Sequence, residues 1–147
     1  MLRDALLATA GRLDLAMFGP GTLDESGRRR SIYLTMKRSK LLPLLIQFDA
    51  PDGVQGIGRR VPTTVAPQAL LMMNHPLVRD CARDFAARMA AKGEGEGIAE
   101  AFRLAFGRAP TAEEQAAARA FVAKDPGRGR IDFCQALLAA NEFAYVD

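Results

Sequence analysis

Between Phe48 and Leu70 the sequence places two carboxylates (Asp49, Asp52), two guanidiniums (Arg59, Arg60), two hydroxyls (Thr63, Thr64) and the side-chain amide of Gln68. Pro51, Gly53, Gly56 and Gly58 break up the stretch, so regular backbone structure does not set its neighbours. Asp49 and Asp52 stand three residues apart around a proline, and both carboxylates can turn into one bend. Such a pair can share a proton, act as acid and base, or hold a hard cation. Arg59 and Arg60 support a different reading, in which bidentate guanidinium–carboxylate pairing braces the loop against the helices. These seven residues form the candidate polar cluster, as a site or as bracing. None of them is singled out as catalytic.

Other chemistry is poorly supplied. His75 is the only histidine, and Asn74 and Pro76 beside it mark a helix start, where it is read as a cap. Cys81 and Cys134 lack the C-x-x-C spacing of a metal or redox site and fall on the apolar faces of expected helices, so they are read as buried free thiols. Without C-x-x-C-H there is no covalent haem attachment, and Met36, Met72 and Met73 are read as packing residues. Gly53-Val54-Gln55-Gly56-Ile57-Gly58 has its glycines in the wrong order for a dinucleotide loop, and Gly56–Arg60 lacks the Walker lysine. No cofactor and no metal are expected.

The 147 residues are 49% hydrophobic and 25% charged, the balance of a globular domain with a core of its own. The net charge of +3 is uneven, because residues 26–65 hold eight Lys/Arg against Asp49 and Asp52. A basic middle can meet phosphate or an acidic partner. It lacks the interleaved aromatics of a stacking platform, so nucleic-acid binding is not expected, and Arg28-Arg29-Arg30 and Lys37-Arg38 are read as a solvated face. The longest apolar run, 41–46, is short and contains Pro43, so no membrane span is expected. Met1-Leu2-Arg3-Asp4 meets charge at once, unlike a secretory signal.

The elements that must position these residues are mainly helices. Leu2, Ala5, Leu6 and Thr9 mark one face of a first helix closed by Gly11. Residues 12–30 read as a surface loop, mobile near Thr22–Gly27. Ile32, Leu34 and Met36 alternate as in an extended segment whose only other candidate strand, Arg60-Val61-Pro62-Thr63, is weakened by proline. Leu41–Phe48 reads as a short helix, and helix resumes after Thr64. Leu77, Val78, Cys81, Phe85 and Met89 form one stripe, and Ile98, Ala101, Phe102, Ala105 and Phe106 another, joined by an acidic, flexible connector, 93–97. Thr111-Ala112-Glu113-Glu114 is a capping box, and Ile131, Cys134, Leu137 and Leu138 form the last stripe. The expected fold is a small array of short helices. Its first half (1–63) is loop-rich with at most a two-stranded ribbon, its second half (64–147) helical, and the whole is a single domain or the C-terminal portion of a larger one.

Several blocks have a familiar order: Arg29-Arg30-Ser31-Ile32-Tyr33-Leu34, Phe48-Asp49-Ala50-Pro51-Asp52, Arg59-Arg60, Thr63-Thr64, Pro67-Gln68-Ala69-Leu70, Gly107-Arg108-Ala109-Pro110-Thr111 with Glu114, and Asn141-Glu142-Phe143 with Tyr145-Val146-Asp147. Together they resemble the planctomycete-type domain of unknown function that ends exported proteins carrying a planctomycete cytochrome c-like domain. The resemblance implies no settled activity. It implies a periplasmic or cell-surface setting, and a chain that starts midway through the family domain. The reading that follows is a non-catalytic C-terminal module whose partner is a missing N-terminal domain of the same protein, or a second copy. An exposed apolar patch is then expected at Leu2, Leu6 and Leu13 and over Leu41–Ile46. The alternative is a hydrolytic or redox site, related to polysaccharides, built around Asp49, Asp52, Arg59 and Arg60 and completed by that missing region.

Overall fold

Helix forms where apolar residues recur at helical spacing and a polar group closes the first turn. The computed structural model describes residues 2–35, 37, 44, 48, 66–125 and 127–145. Among them are seven α-helices: α1 (Leu2–Thr9), α2 (Ala66–Asn74), α3 (Pro76–Ala90), α4 (Glu94–Phe106), α5 (Ala112–Lys124), α6 (Gly129–Ala139) and α7 (Asn141–Ala144). The mainly helical class expected from the sequence is what the chain adopts.

Helix α3 is the hub and packs against α1, α2, α4 and α6. It buries Leu77, Val78, Cys81, Ala82, Phe85, Ala86 and Met89 on one face. His75 starts it as expected, with Nδ1 accepting the Leu77 N–H at 3.2 Å and Pro76 filling the first turn. Phe102 of α4 meets Phe106 edge-on at 5.5 Å and Phe133 of α6 at 6.3 Å, which extends the same core. Full burial of a Leu or Phe side chain contributes about 1.5–3 kcal/mol, so this one cluster dominates stability.

Four expectations change. Over the described residues 32–35 the alternation does not make a strand. Ser31–Tyr33 is a 3-10 turn, because Asp4 takes the Ser31 N–H and hydroxyl at 2.7 and 2.6 Å while Tyr33 and Leu34 bond back to Arg30 and Ser31 at 3.0 Å. Between pairs of described residues there are two isolated parallel bridges, Asp14–Arg29 and Thr22–Leu34. The connector expected at 93–97 is the first turn of α4, and Gly97 is needed there: a Cβ would lie 2.4 Å from the Met89 carbonyl oxygen. The first helix turns its Arg3–Leu6–Leu7–Ala10 side inward and leaves Ala5 exposed. Leu6 and Leu7 are fully buried and Leu2 and Leu13 pack on the core, so α1 shows no apolar patch of leucines. Of Leu41–Phe48, only Leu44 (buried) and Phe48 (half-buried) are among the described residues.

The thiols follow the sequence reading. Cys81 and Cys134 are free and buried. Burial pushes them up, to about 11 and about 12. The sign is that of an acid held neutral in the fold: only the unfolded chain releases these protons just above the ordinary thiol value of 9.0. Their contribution is intact below about pH 9 and is lost as pH rises towards 11. The melting temperature should therefore fall on the alkaline side of pH 9. An aromatic disulfide reagent should find no thiol in the native protein at pH 8 and two after denaturation.

Candidate functional site

Three arginines organise the polar side chains of the described residues. Arg3 projects from α1 into the 25–31 loop and is 1% exposed. Its Nε donates to the Glu25 carbonyl at 2.9 Å, and its Nη1 to the Arg29 carbonyl at 2.9 Å and the Ser31 hydroxyl at 3.2 Å. Nη2 donates to the Gly27 carbonyl. The segment expected to be mobile is thus tied to α1. Burial pulls the Arg3 guanidinium below its ordinary value, against the pull of Asp4 and Glu25. Glu25 continues the network, accepting the Leu44 N–H at 3.0 Å, with His75 Nε2 at 4.0 Å from its other oxygen.

Arg108 follows Gly107, whose φ of +72° ends α4 in the left-handed turn that glycine adopts freely. The guanidinium forks onto both Glu114 oxygens at 2.8 Å and onto Glu142 at 2.6 and 2.9 Å. It also stands 5.5 and 5.6 Å from the Phe102 and Phe106 ring centres. Glu114 closes the capping box with Thr111 at the same time. One side chain therefore ties the end of α4, the start of α5 and α7. Its hydrogen bonds hold the Glu114 carboxyl down at about 2 and Glu142 below the usual range. A depressed carboxyl stabilises the fold above the unfolded value of 4.5 and loses that contribution as pH falls towards 2. Glu114→Gln should accordingly lower the melting temperature at pH 7, and the gap between variant and parent should shrink as pH falls from 4.5 to 2.

Arg79 joins α3 to α6 through Asp132 and Gln135, both at 2.6 Å, and Gln135 donates to the Met73 carbonyl at 2.6 Å. Arg88 donates to the Ala8 and Thr9 carbonyls at 3.2 and 2.6 Å, closing the end of α1. Arg12 Nε stands 3.2 Å from Asp84 Oδ2 but is misaligned for a hydrogen bond, so the contact is Coulombic. Among the described residues no three His, Cys, Asp or Glu side chains group to hold a metal ion, and no helix is long and apolar enough to cross a membrane.

Of the candidate cluster, Asp49, Asp52, Arg59, Arg60, Thr63 and Thr64 lie outside the described residues. Gln68 is buried on α2, and its Oε1 accepts the Tyr145 hydroxyl at 2.6 Å. Arg3, Arg79 and Arg108 were not among the residues that the sequence singles out. Only Arg108 left a trace there, through its place beside the capping box.

Beside α1 lies an open trough of about 890 Å³. Ala5, Ala8, Leu104, Ala105 and Phe106 line it, with Glu142 and Tyr145 among its polar lining. A smaller hollow of about 400 Å³ lies between Met73, Asp132 and Ala139.

The family described as PSD1, protein of unknown function (DUF1553), matches residues 1–122. The chain belongs to this family. The PSD1 match takes in the Arg3 hub, the Arg79 side of its pair and the Gly107–Glu114 turn, while Glu142 and Tyr145 lie beyond it. No curated protein and no solved structure matches the chain.

Proposed function

We propose that this chain is a non-catalytic structural and interaction module of a larger exported protein, and that it docks on a neighbouring domain of that protein. The observation that carries this reading is the trough beside α1. Its lining sets small side chains of α1, Ala5 and Ala8, beside apolar ones of α4, Leu104 and Phe106, a relief into which a helix can pack. The charged side chain in its lining, Glu142, is held by Arg108, and the α1 end carbonyls are held by Arg88. A groove with apolar walls and satisfied polar groups favours packing over chemistry. The planctomycete-type resemblance supports the exported, multi-domain setting. The alternative, a hydrolytic or redox site on Asp49, Asp52, Arg59 and Arg60, rests on residues outside the described ones.

Ala5 and Ala8 are exposed, so charge there leaves the core intact. Ala5→Arg with Ala8→Arg should keep the melting temperature of the isolated chain. In the natural full-length protein the same pair should free this module for cleavage by a protease at its boundary. Unchanged protease resistance in the full-length variant would contradict the reading.

A further inference from the structure

Leu15, Met17, Phe18 and Ile32 are 69, 68, 79 and 74% exposed, and none lines the hollows described above. They do not sit on a slack loop. The 14–22 segment runs beside 28–35: the Asp14 N–H donates to the Arg28 carbonyl at 2.8 Å, the Thr22 N–H to the Tyr33 carbonyl at 2.9 Å, and the Thr35 N–H to the Thr22 carbonyl at 2.7 Å. At the tip Phe18 has φ +65°, a left-handed conformation that a bulky residue keeps only when its surroundings enforce it. Arg29 and Tyr33 do so. Arg29 donates to the Pro20 carbonyl at 2.9 Å and to the Phe18 carbonyl, and lies 3.9 Å over the Tyr33 ring. The Tyr33 hydroxyl oxygen accepts the Phe18 N–H at 2.8 Å. Both backbone groups of Phe18 are thus held by side chains, and its own side chain is left in solvent.

Three arginines, Arg28, Arg29 and Arg30, stand near this tip against two exposed carboxylates, Asp14 and Asp24. Arg28 and Arg30 flank the inward-turned Arg29, are exposed, and take part in none of the ion pairs among the described residues. The nearby carboxylates are ordered but keep their charge: Asp14 accepts the Ala16 N–H at 2.9 Å, and Asp24 accepts the Ser26 N–H and hydroxyl at 2.9 and 2.6 Å.

We propose that this tip docks on an anionic lipid surface, with Leu15, Met17 and Phe18 entering the boundary between headgroups and acyl chains while Arg28 and Arg30 meet the lipid phosphates. Peripheral binding takes two contributions, apolar burial and attraction to anionic headgroups, and the tip presents both. Pinning by Arg29 and Tyr33 means that little order is lost on docking. The surface is separate from the trough, and the inference does not depend on the proposed protein partner.

The chain has no tryptophan, so Phe18→Trp places a single reporter at the tip. Its emission should shift to the blue, and be quenched by brominated lipid, with mixed phosphatidylcholine–phosphatidylglycerol vesicles but not with phosphatidylcholine alone. The parent protein should co-sediment with the anionic vesicles. Arg28→Gln with Arg30→Gln should weaken that binding roughly 25-fold, about fivefold for each basic residue. Failure of the parent to co-sediment with anionic vesicles, or a blue shift that appears without lipid as the protein oligomerises, would overturn the proposal.

Discussion

Arg3→Met should unfold the N-terminal third first and cost the protein about 3 kcal/mol or more. Methionine keeps the buried stem but none of the donors. The carbonyls of Glu25, Gly27 and Arg29 then lose this partner, while the Ser31 hydroxyl keeps Asp4. Each buried acceptor left unmatched costs about 1–3 kcal/mol. At a few degrees per kcal/mol for a domain of this size, the melting temperature should fall by roughly 10 °C. Arg3→Lys keeps the charge but not the planar fork, and should fall between parent and Arg3→Met. Hydrogen exchange locates the effect: protection should drop at Thr22, Leu34 and Thr35 before it drops in α3. Equal loss everywhere would mean that Arg3 supports the core generally and not the 25–31 loop.

Two glycines in the first turn of α4 should respond with opposite signs to the same change. In Gly97→Ala the new methyl meets the Met89 carbonyl oxygen at 2.4 Å and Met89 Cγ at 3.1 Å, so two backbones must part. Overpacking of this kind costs about 1–3 kcal/mol, more than the roughly 1 kcal/mol that alanine gains in helix propensity. In Gly95→Ala the nearest atom is the tip of the flexible Arg119 side chain at 3.1 Å, which can swing aside. The propensity gain should then survive, and Gly95→Ala should be neutral or slightly stabilising. Thermal melts of the two variants beside the parent test the pair. Equal effects would contradict the close approach of α3 and α4.

What the sequence could reveal depended on range. The α3 stripe, the His75 cap and the Thr111–Glu114 box are contacts among residues at most a few turns apart, and local pattern carries them. Arg3 reaches partners 22 to 28 residues away and Arg108 reaches Glu142 across 34. Nothing in its immediate neighbours marks Arg3 as a hub, and the capping box beside Arg108 does not point to Glu142. The turn at 93–97 departs from the expected connector for a different, steric reason. Glycine is ordinarily a helix breaker, and only the approach of Met89 makes it the residue that fits. Ser31–Tyr33 alternates like a strand, but Asp4, from another element, captures the Ser31 N–H that a ladder would have used. Of the polar cluster read from the sequence, Gln68 is placed by the Tyr145 hydroxyl, again a long-range partner.

In the proposed arrangement the trough beside α1 receives a neighbouring domain. A photo-crosslinking residue at Ala8 of the natural full-length protein tests it most directly, because Ala8 is exposed and lines the trough. Mass spectrometry of the crosslinked protein should find Ala8 joined to a segment outside these 147 residues of the same polypeptide. Crosslinks confined to these 147 residues, or only to solvent, would contradict the account.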